Sequence, residues 1–274
     1  MGTYTAQEIR DRLSISTFVF WGHRPIDKGA FDELSRHGIT RIELLESPEQ
    51  FTMSDVSSMK LVGEACRSSG IEVVAYHCFR TDFNDVDTEN TRLERTDKCR
   101  RQIDTMLEMG GTLWGSHAKE TNSFVVKSYE ELARHIEGTD AAITVENTTT
   151  GPNVEDRIEF LDAMDHPQVG MILDIGHVRN QERVNPMTLK GGPTQVLETC
   201  GHRLRHIHLH GFKEGADHHP PLVEGDEIQW AELFGMLRKV EYAGAINFEP
   251  RQHDDAIEYT ARAPDGIAER LAAA

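Results

Sequence analysis

Cysteine is scarce: Cys66, Cys78, Cys99 and Cys200 are scattered through 274 residues with no CxxC pair among them. That spacing gives no sign of a disulfide framework and leads us to expect a reduced, cytoplasmic protein without a secretory leader. Long apolar runs are missing as well. None approaches the roughly 18–20 residues that a spanning helix needs, so no membrane insertion is expected. Positive charge is in deficit, with 29 Lys and Arg against 46 Asp and Glu and a formal charge of −17. Phosphate contacts are made chiefly by Lys and Arg, so this balance argues against a nucleic-acid binder. It leaves room for a small anionic substrate, because a bound metal reverses the local field. No GxGxxG follows any apolar run, which weakens the case for a doubly wound, dinucleotide-binding sheet. No Pro/Ser-rich linker divides the chain, and we expect one domain over residues 1–274. Whether it forms a homo-oligomer is open at this level.

What is present is alternation. Short apolar runs recur along the chain: "SISTFVFW", "ITRIELLE", "IEVVAYHC", "TLWGSHA", "AAITVENT", "GMILDIGH", "LRHIHLHGF" and "AINFEPR". Between most of them lie stretches with helical spacing, such as "SDVSSMKLVGEACRSSG", "SYEELARHIEG" and "IQWAELFGMLRKVEYAG", several closing on Gly. Mainly hydrophobic strands separated by helices imply parallel strands covered by those helices. Eight such units predict a single-domain α/β protein, a (β/α)8 TIM barrel. The first unit is the least regular, with a short helix after "WGHRPIDK".

Histidine is abundant, at 14 residues. In "RHIHLHGFKEGADHH", His206, His208 and His210 alternate along a strand and Asp217, His218 and His219 follow a short loop. Functional residues of such barrels sit at the C-terminal ends of the strands. The expected strands end there in His77, His117, Glu146, Asp174 with His177 just beyond, and Glu249, while the seventh carries His208. Buried carboxylates are costly unless paired or bound to metal, so two glutamates and an Asp/His pair at one mouth suggest a divalent cation. Plainer readings stand beside this. Glu146 and Glu249 are also what ion-pair partners of Arg or Lys look like, Asp174 is a favoured helix cap, and His208 reads equally as a bonded core histidine. Three ligands from one strand would crowd one ion; we expect His208 to bind, His206 to lie deeper and His210 to lie beside the ligands or the substrate. His218 is expected in solvent. "LKGGP" lacks P-loop spacing and reads as an ordinary turn. Phe18, Phe20 and Trp21 are expected on strand one as an apolar wall for the substrate, or as plain core.

"ITVENT", "MILDIGHV", "HIHLHGF…DHHPPLVEGDEIQW" and "INFEP", in that order, resemble the signature segments of the sugar phosphate isomerase/epimerase family, the xylose isomerase-like TIM barrels. The resemblance covers strands three to eight; the first two are compatible but uninformative. It implies one divalent metal, Mn, Mg, Co or Zn, held by Glu146, Asp174, His208 and Glu249. It also implies that His177 hydrogen-bonds a substrate oxygen; His77, His210 and Trp21 are further candidate substrate contacts. The chain departs from many relatives where H-x-x-D on strand seven becomes His208 to Gly211, and where the G-x-G that often follows is Glu224 to Asp226. Both changes fall in the substrate loop. A subset of the superfamily typified by endonuclease IV binds three zinc ions, and His117, Asp217 and His219 together with His77 match its additional ligands.

The implied chemistry is isomerisation or epimerisation of a small keto- or aldo-sugar, or a related hydroxy-ketone, through an enediolate. Glu146 and Glu249 act as the acid/base pair, since such a reaction removes and returns a proton beside a carbonyl. Similar barrels are lyases (inosose and dehydroshikimate dehydratases, eliminases of 3-keto-glycosides), which share the proton abstraction and differ in the fate of the enolate. A zinc phosphodiesterase and a non-catalytic sugar-binding barrel are further readings.

Overall fold

The computed structural model describes residues 4–47, 50–78, 83–151, 153–213, 219, 226–251 and 255–273. Its strands are β1 (Leu13–Ser16), β2 (Arg41–Leu45), β3 (Glu72–His77), β4 (Leu113–His117), β5 (Ala142–Glu146), β6 (Val169–Asp174), β7 (Leu204–Leu209) and β8 (Ile246–Phe248). All pairings are parallel, and β8 pairs back onto β1 to close the barrel in chain order. The expected (β/α)8 TIM barrel is what the chain forms.

The helices are α1 (Ala6–Arg10), α2 (Lys28–Arg36), α3 (Val56–Ser68), α4 (Glu89–Glu108), α5 (Ser123–His135), α6 (Val154–Met164), α7 (Gly192–Cys200), α8 (Trp230–Lys239) and α9 (Ala256–Ala273). Local chemistry sets where several begin. Asp27, Asp55, Thr88, Asn122 and Asn153 each accept a backbone N–H of the helix they precede, satisfying donors that the helix leaves free. The helix after "WGHRPIDK" is short but regular, at 9 residues. "LKGGP" is more than a turn: Gly191, at φ +84°, caps α7, and Pro193 fits its first turn, where no amide donor is needed.

The strands are buried on both faces, one toward the helices and one toward the barrel axis. The axis is polar near the C-terminal end. Ser14 donates to Asn247 Oδ1 at 2.7 Å, and His208 Nε2 donates to Glu43 Oε2 at 2.8 Å. β7 and β2 are separated by β8 and β1, so the His208–Glu43 bond crosses the barrel interior. Two register shifts interrupt the ladder, between Ile42 and Glu43 against β3 and between Met171 and Ile172 against β7. Among the described residues no helix is long and apolar enough to cross a membrane.

Candidate metal centre and active site

Strand register assembles the site. His117 is paired with Glu146 across β4 and β5, and Asp174 with His208 across β6 and β7. Glu249 follows β8 and is anchored by its amide to the Leu209 carbonyl at 2.8 Å. Donor atoms of Glu146, Asp174, His208 and Glu249 consequently lie within 4.8 Å of one another, all four residues buried. His208 Nδ1 is 3.2 Å from Glu249 Oε2, 3.6 Å from Glu146 Oε1 and 3.9 Å from Asp174 Oδ2. Asp174 Oδ2, Glu146 Oε2 and His208 Nδ1 are buried without a hydrogen-bond partner. Leaving such atoms bare is costly, and a set of three carboxylates and one imidazole fits a divalent cation.

Two further donor groups flank this one, His77, His117 and Glu146, and Asp174, His177 and His219, and a third beneath it, Glu43, His77, His208 and Glu249, shares two of its members. Glu146 joins the first to the centre, since its Oε2 is 3.1 Å from both His77 Nε2 and His117 Nε2. In the second, His177 Nε2 and His219 Nε2 are 3.1 Å apart, and His177 Nδ1 is 3.4 Å from Asp174 Oδ2. Asp217, with His218 and Glu224, lies outside the described residues.

The plainer readings are met in part. Among the described residues no Lys or Arg pairs with Glu146 or Glu249; their close partners are histidines. Asp174 divides its labour. Oδ1 accepts the amides of Gly176 and His177 at 2.8 and 2.9 Å, as a capping residue does, while Oδ2 faces the other donors. Asn147 adds to its support by accepting the Asp174 amide at 2.9 Å.

Several expected positions need correction. Phe18, Phe20 and Trp21 are not on strand one: β1 ends at Ser16, and a 3-10 turn, Thr17–Phe20, carries the chain over the mouth. Ser16 Oγ caps that turn by accepting the Phe18 amide, which is why the strand stops there. Phe20 is core, at 1% exposure. Phe18 and Trp21, ring centroids 5.3 Å apart, line a cavity of about 550 Å³ with Gly22, Thr149, His177, His219 and Arg251. His77 and His210, named as substrate contacts, are both buried beside the donors, His210 next to the expected ligand Asp174. His210 bonds the Gly211 carbonyl from Nδ1 at 2.8 Å and Asp174 Oδ1 from Nε2 at 3.2 Å. His206 is buried deeper, as expected, 3.1 Å from Glu43.

Glu43 is the residue that sequence reasoning missed. It lies on β2, fully buried, among His77, His206 and His208. Its signal was there: a lone carboxylate inside the apolar run "ITRIELLE" is costly to bury unless something uses it.

Electrostatics separates the two glutamates. Burial pushes the Glu146 carboxyl up, but His117 and His208 outweigh it and hold it well below the ordinary range. Glu249 goes the other way: burial raises it, His208 only partly compensates, and the charges of Glu43 and Glu146 add to the rise. Burial disfavours the charged form of His177, yet Asp174 and then Glu146 lift it to about 9. His219 is pushed down to about 3 by burial and by His210.

A model of the xylose isomerase-like TIM barrel matches residues 31–272, most of the chain. The chain belongs to that family. Solved xylose isomerase-like and epimerase structures share its fold at low identity. A 3-keto-D-glucoside 4-epimerase from E. coli superimposes with a TM-score of 0.71 at 16% identity, covering 94% of this chain and 99% of its own. A D-psicose 3-epimerase from Clostridium cellulolyticum H10, solved with D-tagatose, gives 0.70 at 15% identity, with 95% and 99% covered. A xylose isomerase-like TIM barrel protein from Mycobacterium smegmatis, in complex with magnesium, gives 0.73 at 14% identity, with 98% and 99% covered. No curated protein is matched by the sequence.

Proposed function

We propose that this xylose isomerase-like barrel is a metal-dependent isomerase or epimerase of a small keto- or aldo-sugar, working by proton transfer beside a carbonyl. The observation that carries it is the placing of Glu146 and Glu249, from β5 and the end of β8, within 3.6 Å of the same His208 nitrogen. Glu146 and Glu249, arriving from different strands, are suited to take the proton from carbon and to return one to the neighbouring carbon or the opposite face. A divalent cation held by Glu146, Asp174, His208 and Glu249 supplies the positive charge that stabilises the developing oxyanion. His177, at the cavity wall, is suited to hydrogen-bond a substrate oxygen, and Phe18 and Trp21 to cover a carbon face. The named activities of two structural neighbours, both sugar epimerases, support the substrate class.

The test is incubation with Mn²⁺ or Co²⁺ and a panel of ketoses in D₂O. Deuterium at the carbon beside the carbonyl is the expected result, and product analysis then separates epimerisation from elimination. A second reading, a zinc phosphodiesterase, is favoured by the two flanking donor groups. The charge of −17 weighs against it, since DNA contacts need cations. Absence of exchange across the panel, with cleavage of abasic-site DNA and three zinc ions per chain, would replace the first reading with the second.

A further inference from the structure

His208 has two ring nitrogens, and the barrel gives them different neighbours. Nδ1 faces Glu249, Glu146 and Asp174; Nε2 faces inward, 2.8 Å from Glu43 Oε2. His77, on the far side of the axis, is held differently. Its Nε2 is 3.1 Å from Glu146 Oε2, while its Nδ1 lies 3.7 Å from Glu43 Oε1 and 3.9 Å from Glu249 Oε1, beyond hydrogen-bond reach of either. The Glu43 carboxylate therefore stands behind His208. It is fully buried, and its charge is faced by His77, His206 and His208. The β2 ladder shifts register immediately before Glu43, the kind of irregularity that re-aims a side chain beside a site.

We propose that Glu43 is a positioning residue for the metal centre, fixing the ring orientation and tautomer of His208. Its carboxylate can only accept, so the nitrogen facing it carries the proton. The opposite nitrogen, Nδ1 of His208, keeps its lone pair for the side where the metal donors lie. A carboxylate behind a metal-binding histidine also raises the basicity of the ring. The inference rests on the assignment of Glu146, Asp174, His208 and Glu249 as the metal donors.

The experiment uses Zn²⁺ alone, without substrate. Chelator competition on the folded Glu43→Gln protein should show zinc affinity ~10–100-fold below the parent, the cost typical of losing such a partner. Long-range ¹H–¹⁵N spectra of the zinc-loaded parent should show His208 protonated at Nε2, with a downfield, slowly exchanging proton that Glu43→Gln moves upfield. A merely structural role for Glu43 would not move that proton. Affinity within threefold of the parent in folded Glu43→Gln, or His208 protonated at Nδ1 in the parent, would overturn the proposal. If the variant does not fold, the parent spectrum decides alone. Neither readout involves a sugar, so a failure of the exchange chemistry in D₂O is distinguishable from a failure here.

Discussion

At the scale of single residues, the centre works by dividing tasks between the two oxygens of a carboxylate. Glu249 places Oε2 3.2 Å from His208 while its Oε1 accepts from Ser16 at 3.4 Å. Glu249→Gln keeps the shape and the serine contact but removes the charge. We expect divalent-metal affinity to fall at least ~100-fold, beyond the range seen for outer partners, and turnover to vanish while the circular dichroism stays that of the parent. Full metal content and activity in that variant would remove Glu249 from the centre. Gly176 has a different job. A Cβ there would lie 2.0 Å from Cε1 of His210, the ring that bonds Asp174. Gly176→Ala should therefore displace His210, costing about 1–3 kcal/mol as overpacking does, and should loosen metal binding through Asp174. Denaturant midpoints with and without metal would measure both; an unchanged pair would show that His210 yields freely.

At the scale of elements, strand ends carry the donors while the helices hold them in place through packing and a few ionic clamps. α4 and α5 are clamped through Arg92, whose side chain is 1% exposed and reaches Glu89 at 2.8 Å and Glu131 at 3.0 Å. The Arg92 hydrogen bond, with a second from Lys127, lowers the Glu89 carboxyl from an ordinary 4.5 to about 2. A carboxyl lowered on folding stabilises the folded state above its unfolded value and loses that contribution as pH falls through the folded one. The stability gap between the parent and Glu89→Gln should hence be steady above ~pH 5, fall to a small fraction by pH 2, where the folded carboxyl is half protonated, and vanish below that. Urea midpoints across that range check it; a gap undiminished at pH 2 would mean that shape rather than charge matters at residue 89.

For the molecule as a whole, closure of the barrel leaves a large apolar core outside the polar centre, formed by strands and helices together. On the proposed function, a metal held at the mouth would serve chemistry and not folding. Chelation with EDTA should abolish activity and leave the far-ultraviolet dichroism intact. Restoring the metal should raise the melting temperature by mass action, by about 2.7 kcal/mol of stability when free metal is a hundredfold above Kd. A collapse of dichroism on chelation would make the ion structural instead.

The barrel and the residue types at its mouth were legible because both are local properties of the chain. Apolar runs alternating with helical spacing dictate parallel strands under helices, and a polar residue at the end of a run marks the functional face whatever its neighbours turn out to be. Strand ends alone offered His77, His117, Glu146, Asp174, His177, His208 and Glu249; the family resemblance singled out Glu146, Asp174, His208 and Glu249, and the fold brings those four together. Pairings between distant strands were not legible. Glu43 meets His208 across 165 positions of sequence, and nothing in "ITRIELLE" says which strand it will face. The hydroxyl of Ser16, which turns Phe18 and Trp21 off the strand and over the mouth, acts on a backbone conformation that an apolar pattern does not encode. Which nitrogen of a histidine looks inward depends on strand tilt and stagger, and these are set only when the barrel closes and all its registers must agree. The chain alone determined the fold and the kinds of donor; closure decided which of them meet, because register is a property of pairs of strands and not of either one.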